Sequence, residues 1–163
     1  MSTRFGRRLA GAALGSFVGA VAGAIAIALS TQAPAKAQAA YGSYIGIGPA
    51  FGDGEIGVAI NGRYNILEVP ISIRGAAFLG EGSAFVPTVS YDYPLNFSTD
   101  IYVGAGVTFA SEGSVMGDGT SFVLQPGIDY TVNNSSLVWY GNAIIPIGGD
   151  TNTAIQGGVG IQF

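Results

Sequence analysis

The sequence predicts an all-β fold, eight antiparallel strands closed up-and-down into a barrel, behind an N-terminal targeting segment. Three observations carry this. The final run, Ile155-Gln156-Gly157-Gly158-Val159-Gly160-Ile161-Gln162-Phe163, alternates apolar with polar or small residues, and no stretch after residue 40 sustains a helical period. Clusters of Gly, Asn, Asp and Ser cut the chain at near-regular intervals. Arg4, Arg7 and Arg8 precede an uncharged Ala- and Gly-rich run from Leu9 to Leu29, the build of a secretory signal peptide.

The leader is expected to span residues 1–39, with Ala37 and Ala39 as the small residues at the −3 and −1 positions of a cleavage site. Arg7-Arg8 also permits a twin-arginine signal. An uncleaved span is the alternative, because the apolar run exceeds the ~7–15 residues of an ordinary signal core and approaches the ~20 of a membrane helix. Residues 40–163 then form one domain. They hold eight strands of about 11 residues, the length that crosses a bilayer when tilted, with roughly five residues left per connection.

The first strand, 43–51, alternates Ile45 and Ile47 with Gly46 and Gly48, and ends at the turn Gly52-Asp53-Gly54. The second, 55–66, sets Ile56, Val58 and Ile60 against Asn61, Arg63 and Asn65, and turns at Leu67-Glu68. The third, 69–79, sets Val69, Ile71 and Ile73 against Ser72 and Arg74, up to Gly80-Glu81-Gly82-Ser83. The fourth, 84–94, offsets Val89 from Thr88, Ser90 and Asp92, and the Leu95 to Ser98 turn follows. In the fifth, 99–110, Ile101, Val103 and Val107 alternate with Gly104, Gly106 and Thr108, before a loop from Ser111 to Gly119. The sixth, 120–131, carries Leu124 and Ile128 against Gln125 and Asp129, ending at Asn133-Asn134-Ser135. The seventh, 136–147, has Leu137 and Ile145 against Asn142, and the turn Gly148 to Asn152 leads into the last strand, 153–163.

Loss of the leader would remove four of six basic residues. Only Arg63 and Arg74 would remain against ten carboxylates, a formal charge of −8, which argues against nucleic acid or an anionic membrane surface as partner. Cys and His are both absent, which removes disulfides, thiolate metal sites, the usual zinc and haem ligation, and Ser/His or Cys/His nucleophilic catalysis.

Which face points inward follows from the polar set. In a water-soluble barrel that set would form the surface, yet it contains few charges and no Lys, far below the ~25–35% charged surface that keeps a domain soluble. Turned the other way, the apolar set meets lipid and the polar set fills the lumen. Aromatic placement points the same way. Tyr64, Tyr93, Tyr130, Trp139 and Phe163 fall at one end of the expected barrel, and Phe51, Phe85, Phe109 and Phe122 at the other, all with outward parity, like the two interfacial girdles of a transmembrane barrel.

Signal peptide, eight alternating segments, two girdles and a terminal Phe163 preceded by Ile161 and Val159 resemble the small eight-stranded outer-membrane β-barrel proteins, the OmpA/OmpX-like class. The resemblance covers the whole of residues 40–163. It implies a bacterial outer-membrane location, contact with outer-membrane lipid, and a role for Val159, Ile161 and Phe163 as the signal read by the outer-membrane insertion machinery. It is specific for architecture and leaves activity open, since the class includes membrane-stabilising barrels, adhesins, narrow pores and a few lipid-modifying enzymes. The lipid-modifying members usually depend on His, and the adhesive members have long surface loops. Both features are missing here.

Arg63, Arg74, Asp92 and Asp129 have lumen-facing parity, and an Arg on the lipid face near mid-membrane would cost ~2–4 kcal/mol. They are expected to neutralise one another in a polar plug, with Asn61, Ser90, Gln125, Tyr102 and Tyr140 supplying hydrogen bonds. Asp53, Glu55, Glu81, Glu112, Asp118 and Asp150 gather at the end away from the termini. They are solvated turn carboxylates or, on a functional reading, a place for divalent cations that bridge to glycolipid. The expectation is therefore a monomeric, non-enzymatic, cofactor-free barrel that supports envelope integrity or surface properties. A narrow porin-like pore is the leading alternative. A binding module for lipid or a surface partner is a third, and it would need order in residues 111–119, whose Gly and Ser content instead predicts mobility.

Overall fold

The structure, a computed structural model, describes residues 42–66 and 69–163. The expected signal peptide, with Ala37 and Ala39, and the Leu67-Glu68 turn lie outside the described residues. Eight strands follow in chain order: β1 (Tyr44–Gly52), β2 (Glu55–Asn65), β3 (Ile71–Leu79), β4 (Ser83–Asn96), β5 (Thr99–Ser114), β6 (Gly117–Thr131), β7 (Leu137–Ile147) and β8 (Ala154–Gln162). Each pairs antiparallel with its sequence neighbours, and β1 pairs with β8, so the sheet is a closed barrel. Closure leaves no strand edge with unpaired backbone groups.

Turn chemistry sets the registers. Gly52 pairs with Glu55, which leaves Asp53-Gly54 as a two-residue loop with both φ angles positive, at 52° and 76°. That is the twist-matched hairpin turn that Asp-Gly favours. Strand β3 begins at Ile71 rather than at Val69. Pro70 lacks an N–H for the ladder, although its carbonyl accepts from the amide of Asp92 at 2.9 Å.

Six of the eight strands run within two residues of their expected bounds, and the largest departure is at the far end of the barrel, away from the chain's C-terminus. Strands β5 and β6 continue through the segment expected to be a mobile loop and meet at Ser114↔Gly117. A bulge between Ala110 and Ser114 bends this hairpin, with Gly113 at φ 78°. The bend turns the tip inward, and Val115 and Met116 are 2% and 0% exposed.

The outer surface is aliphatic and aromatic. Ile47, Ile56, Val58, Ile73, Val89, Val103, Ile128, Ile145, Ile155 and Ile161 are all exposed. The polar residues of alternate parity, from Asn61 and Arg63 through Gln125 to Gln156, are buried inside. This is a soluble barrel turned inside out, the arrangement of a barrel whose outer solvent is hydrocarbon.

The lumen is narrow, and the seam between β1 and β8 shows how narrow. A Cβ on Gly48 would lie 1.9 Å from the carbonyl oxygen of Gly157, and one on Gly158 would lie 2.2 Å from that of Ile47. Both obstacles are backbone and cannot move aside. Gly158→Val is therefore expected to block closure of the seam. Electrophoresis of unboiled, detergent-folded samples should show the compact fast-migrating band for the parent chain and its loss for the variant, whereas Gly62→Ala, whose methyl would approach nothing nearer than the carbonyl oxygens of Gly75 and Tyr44 at 4.0 Å, should keep it.

Candidate functional site: a charged lock and an apolar plug in the lumen

The interior divides along the barrel axis. At the near end, where β1 starts and β8 finishes, β2 and β3 present Arg63 and Arg74, which are direct cross-strand partners. Strands β5 and β6 present Asp100 and Asp129, also direct partners, and β4 presents Asp92. Like charges directly opposite on neighbouring strands repel. Here each pair is held by the opposite sign on the other strands of the lumen.

The contacts form one network. Arg63 reaches Asp100 at 3.0 Å and Asp129 at 3.2 Å through Nη1, and Asp92 at 3.2 Å through Nη2. Arg74 Nη2 bridges Asp92 at 3.0 Å and Asp129 at 2.9 Å. The two Nε atoms donate to Ser72 (3.1 Å) and Ser90 (2.8 Å). Those hydroxyls in turn donate to the two oxygens of Asp92, Ser90 at 2.8 Å. Tyr44 on β1 donates its hydroxyl to Asp129 at 2.9 Å. The Arg74 guanidinium also lies over the Tyr102 ring, 3.3 Å from its centroid, a cation–π contact. All five charged side chains are at most 3% exposed.

Above this layer, Asn142 donates to the Tyr102 hydroxyl at 3.0 Å and accepts from Gln156 at 2.9 Å. Thr88 donates to Gln125 at 2.6 Å. With these two links, side chains from all eight strands take part.

The structure brings together the four charges expected from parity, Arg63, Arg74, Asp92 and Asp129, and adds Asp100, Tyr44 and the Ser72 hydroxyl to them. Asp100 stands at the second position of β5, where a strand end read from sequence looks like a solvated turn. Its parity with Tyr102 was the available signal. Tyr44 likewise opens β1. Among the expected hydrogen-bonding residues, Ser90, Gln125 and Tyr102 take part as donors or acceptors. Tyr140 instead stacks on Tyr44 with ring centroids 5.8 Å apart, and its hydroxyl, like the Asn61 amide, has no hydrogen-bond partner among the described residues.

The far half of the lumen is mainly apolar, with the buried hydroxyls of Thr108 and Ser121 among its side chains. Phe78, Val86, Val123 and Ile144 point inward among Ala50, Ala59, Ala76, Ala84 and Ala154, and Val115 and Met116 close over them. The hairpin tip is tied down on two sides. The amide of Gly82 donates to Gly113 O at 2.8 Å, and that of Asn152 to Met116 O at 2.8 Å. Gly117 bridges to Thr151. Asn152 also donates through its side chain to Asp53 at 2.7 Å, which connects the remaining far-end turn.

Outside, Tyr64, Tyr93, Tyr130 and Trp139 are exposed on near-end positions, with Tyr130 paired directly to Trp139. Phe51, Phe85, Phe109 and Phe122 are exposed on far-end positions, with Phe85 paired to Phe109. Val159, Ile161 and Phe163 are exposed on β8 and just past its end. The six carboxylates Asp53, Glu55, Glu81, Glu112, Asp118 and Asp150 sit at the far rim. No group of three or more His, Cys, Asp or Glu among the described residues is arranged to hold a metal ion.

Removing one partner of a buried ion pair leaves an uncompensated charge and costs about 3–5 kcal/mol. Arg74→Ala is expected to lose stability on that scale, measured by denaturant unfolding in lipid or detergent. Joint replacement of Arg74 and Asp92 by Leu should cost less than the sum of the single changes.

Comparisons with known proteins follow the same architecture. No protein-family model matches the chain, and no curated protein does. Among solved structures, a de novo designed transmembrane β-barrel superposes with a TM-score of 0.57 at 11% identity, over 75% of this chain and 96% of that one. The N-terminal β-barrel domain of Pseudomonas aeruginosa OprF gives 0.55 at 14% identity, over 74% and 96%. The Yersinia pestis outer membrane protein Ail, solved in a phospholipid bilayer nanodisc, gives 0.54 at 16% identity, over 75% and 99%. At these identities the likeness is one of fold: this chain has the fold of the small eight-stranded transmembrane β-barrels.

Proposed function

We propose that the chain is a monomeric, non-enzymatic outer-membrane barrel that contributes to envelope integrity as a sealed element. The observation that carries this reading is the lumen, filled along its length by two different devices, a salt-bridged polar layer at the near end and an apolar plug at the far end. A barrel built to pass solutes needs a continuous wet path with sites that bind weakly enough to release, and this lumen offers neither.

The exposed aliphatic band between two aromatic rings supports insertion in a bilayer. The fold shared with OprF and Ail supports a bacterial outer membrane as that bilayer. On this reading the outward residues Val159, Ile161 and Phe163 are presented to the insertion machinery during assembly. The far-end hairpin is ordered, but its bulky side chains point inward. It leaves Ser111, Glu112 and Asp118 outside, a poor surface for a partner.

Planar-bilayer recording tests the sealed reading. The parent chain is expected to give no ion conductance above the bare bilayer. Val115→Ser/Met116→Ser should also stay closed, because the charged layer still blocks the lumen, and only its combination with Arg74→Ala should conduct. Steady unitary currents from the parent chain would favour the pore.

A further inference from the structure

We infer that the near-end rim around the β4–β5 turn is itself immersed in the lipid leaflet, so that the apolar belt of this barrel extends past the Tyr/Trp ring on one side only. This rests on the membrane-spanning reading above.

Length is the deciding quantity. Phe85 and Tyr93 on β4, and Phe122 and Tyr130 on β6, mark the two rings on the same strand, eight residues apart in each case. At about 3.4 Å per residue and a tilt of roughly 40°, this is a vertical spacing of about 21 Å. A typical bilayer has ~30 Å of hydrocarbon, and the apolar band of an outer-membrane barrel is ~25 Å tall. Ring to ring, the barrel is too short by several ångströms, a mismatch that would have to be met by thinning of the bilayer, snorkelling or oligomerisation unless apolar surface beyond one ring makes up the length.

The far end cannot supply that surface. Glu55 follows the first turn directly, and Asp53, Glu81, Glu112, Asp118 and Asp150 occupy the rest of that rim. The near end can. Beyond Tyr93, strand β4 continues through a bulge at Pro94/Asn96 to Leu95, 54% exposed, and Phe97, 94% exposed at the tip of the turn. Val69 lies exposed on the approach to neighbouring β3, and Ile66 just past β2 and Leu137 at the start of β7 are exposed at the same end. The β4–β5 turn itself, Leu95 to Ser98, carries no charged residue, and the one carboxylate of the near-end turns in the sequence, Glu68, belongs to the segment between β2 and β3. The turn is also held rather than loose: the Ser98 hydroxyl donates to Asn133 at 2.6 Å, and Thr131 N donates to Ser98 O at 2.7 Å. Leu95, two residues past the ring, adds about 5 Å of apolar depth at the same rise and tilt, and Phe97 at the tip of the turn lies beyond it, which covers the shortfall against a ~25 Å band.

Tryptophan fluorescence in vesicles decides it, because Trp139 is the chain's single tryptophan and belongs to the near-end ring. Phe97→Trp in a Trp139→Phe background is compared with the parent chain in phosphatidylcholine vesicles brominated at a series of acyl depths, with iodide on both sides. The expected result is that the indole at position 97 is blue-shifted, quenched most by the shallowest bromine and protected from iodide, while Trp139 of the parent chain is quenched most by a deeper bromine. Leu95→Trp in the same background repeats the measurement on the same rim should the first variant not fold. Iodide quenching at position 97 with bromine quenching at Trp139 would overturn the inference and leave the membrane reading standing. Absence of bromine quenching at both positions would overturn both.

Discussion

The ion cluster between Arg63 and Arg74 on one side and Asp92, Asp100 and Asp129 on the other is the constraint on which the rest of the barrel depends. Each sign is concentrated on adjacent strands, where like charges face each other across a ladder. Neither half is tolerable alone in a buried setting, because an unpaired ion there costs several kcal/mol. Asp92 lies on β4, next to β3, but Asp100 and Asp129 meet the arginines only when β2 and β3 curve round to face β5 and β6. The cluster therefore rewards the closed barrel and penalises an open or slipped sheet. A slip of one residue would turn both arginines toward lipid.

Buried ion pairs are weak evidence of net stability when set against a well-packed apolar core. The far half of this same lumen shows that the chain can build such a core, from Phe78, Val86, Val123 and Ile144 with Val115 and Met116 above them. The charged layer is thus better understood as a specifier of register and closure than as a source of raw stability. The apolar plug supplies packing. The two layers fill the lumen by different means, and the amide and hydroxyl groups of Thr88, Gln125, Asn142 and Gln156 separate them.

Much of this was legible in the sequence, because strand parity is a strong signal in a chain with so few charges. Alternation around Ile56, Val58 and Ile60 against Asn61, Arg63 and Asn65 fixes which face is which, and Phe163 fixes the last strand. Parity also sorts every girdle aromatic outward. What stayed hidden depended on strand ends and on tertiary contact. Asp100 sits one residue inside β5, where sequence shows no difference between a lumen carboxylate and a turn carboxylate. The segment 111–119 has a loop's composition, and only Val115 and Met116 hint that it folds inward. Their burial requires Gly52, Gly82 and Asn152 to be in place around them, which no local pattern reports. Parity puts Val86, Val123 and Ile144 on the inward face with Thr88, Gln125 and Asn142; what it does not report is that they gather at one end of the lumen, which depends on the register between strands.

The proposal of a sealed barrel rests on the paired arginine cluster that fills the near end of the lumen. Side-chain nitrogen-15 NMR of arginine-labelled protein in nanodiscs tests it most directly, since the guanidinium protons of exposed arginines exchange rapidly with water. Arg63 and Arg74 should give resolved Nε–H and Nη–H signals that persist at neutral pH, with restricted rotation of each guanidinium held by its carboxylates. Signals that are lost to water exchange at neutral pH in a correctly folded barrel would mean a wet, open lumen and would contradict the account.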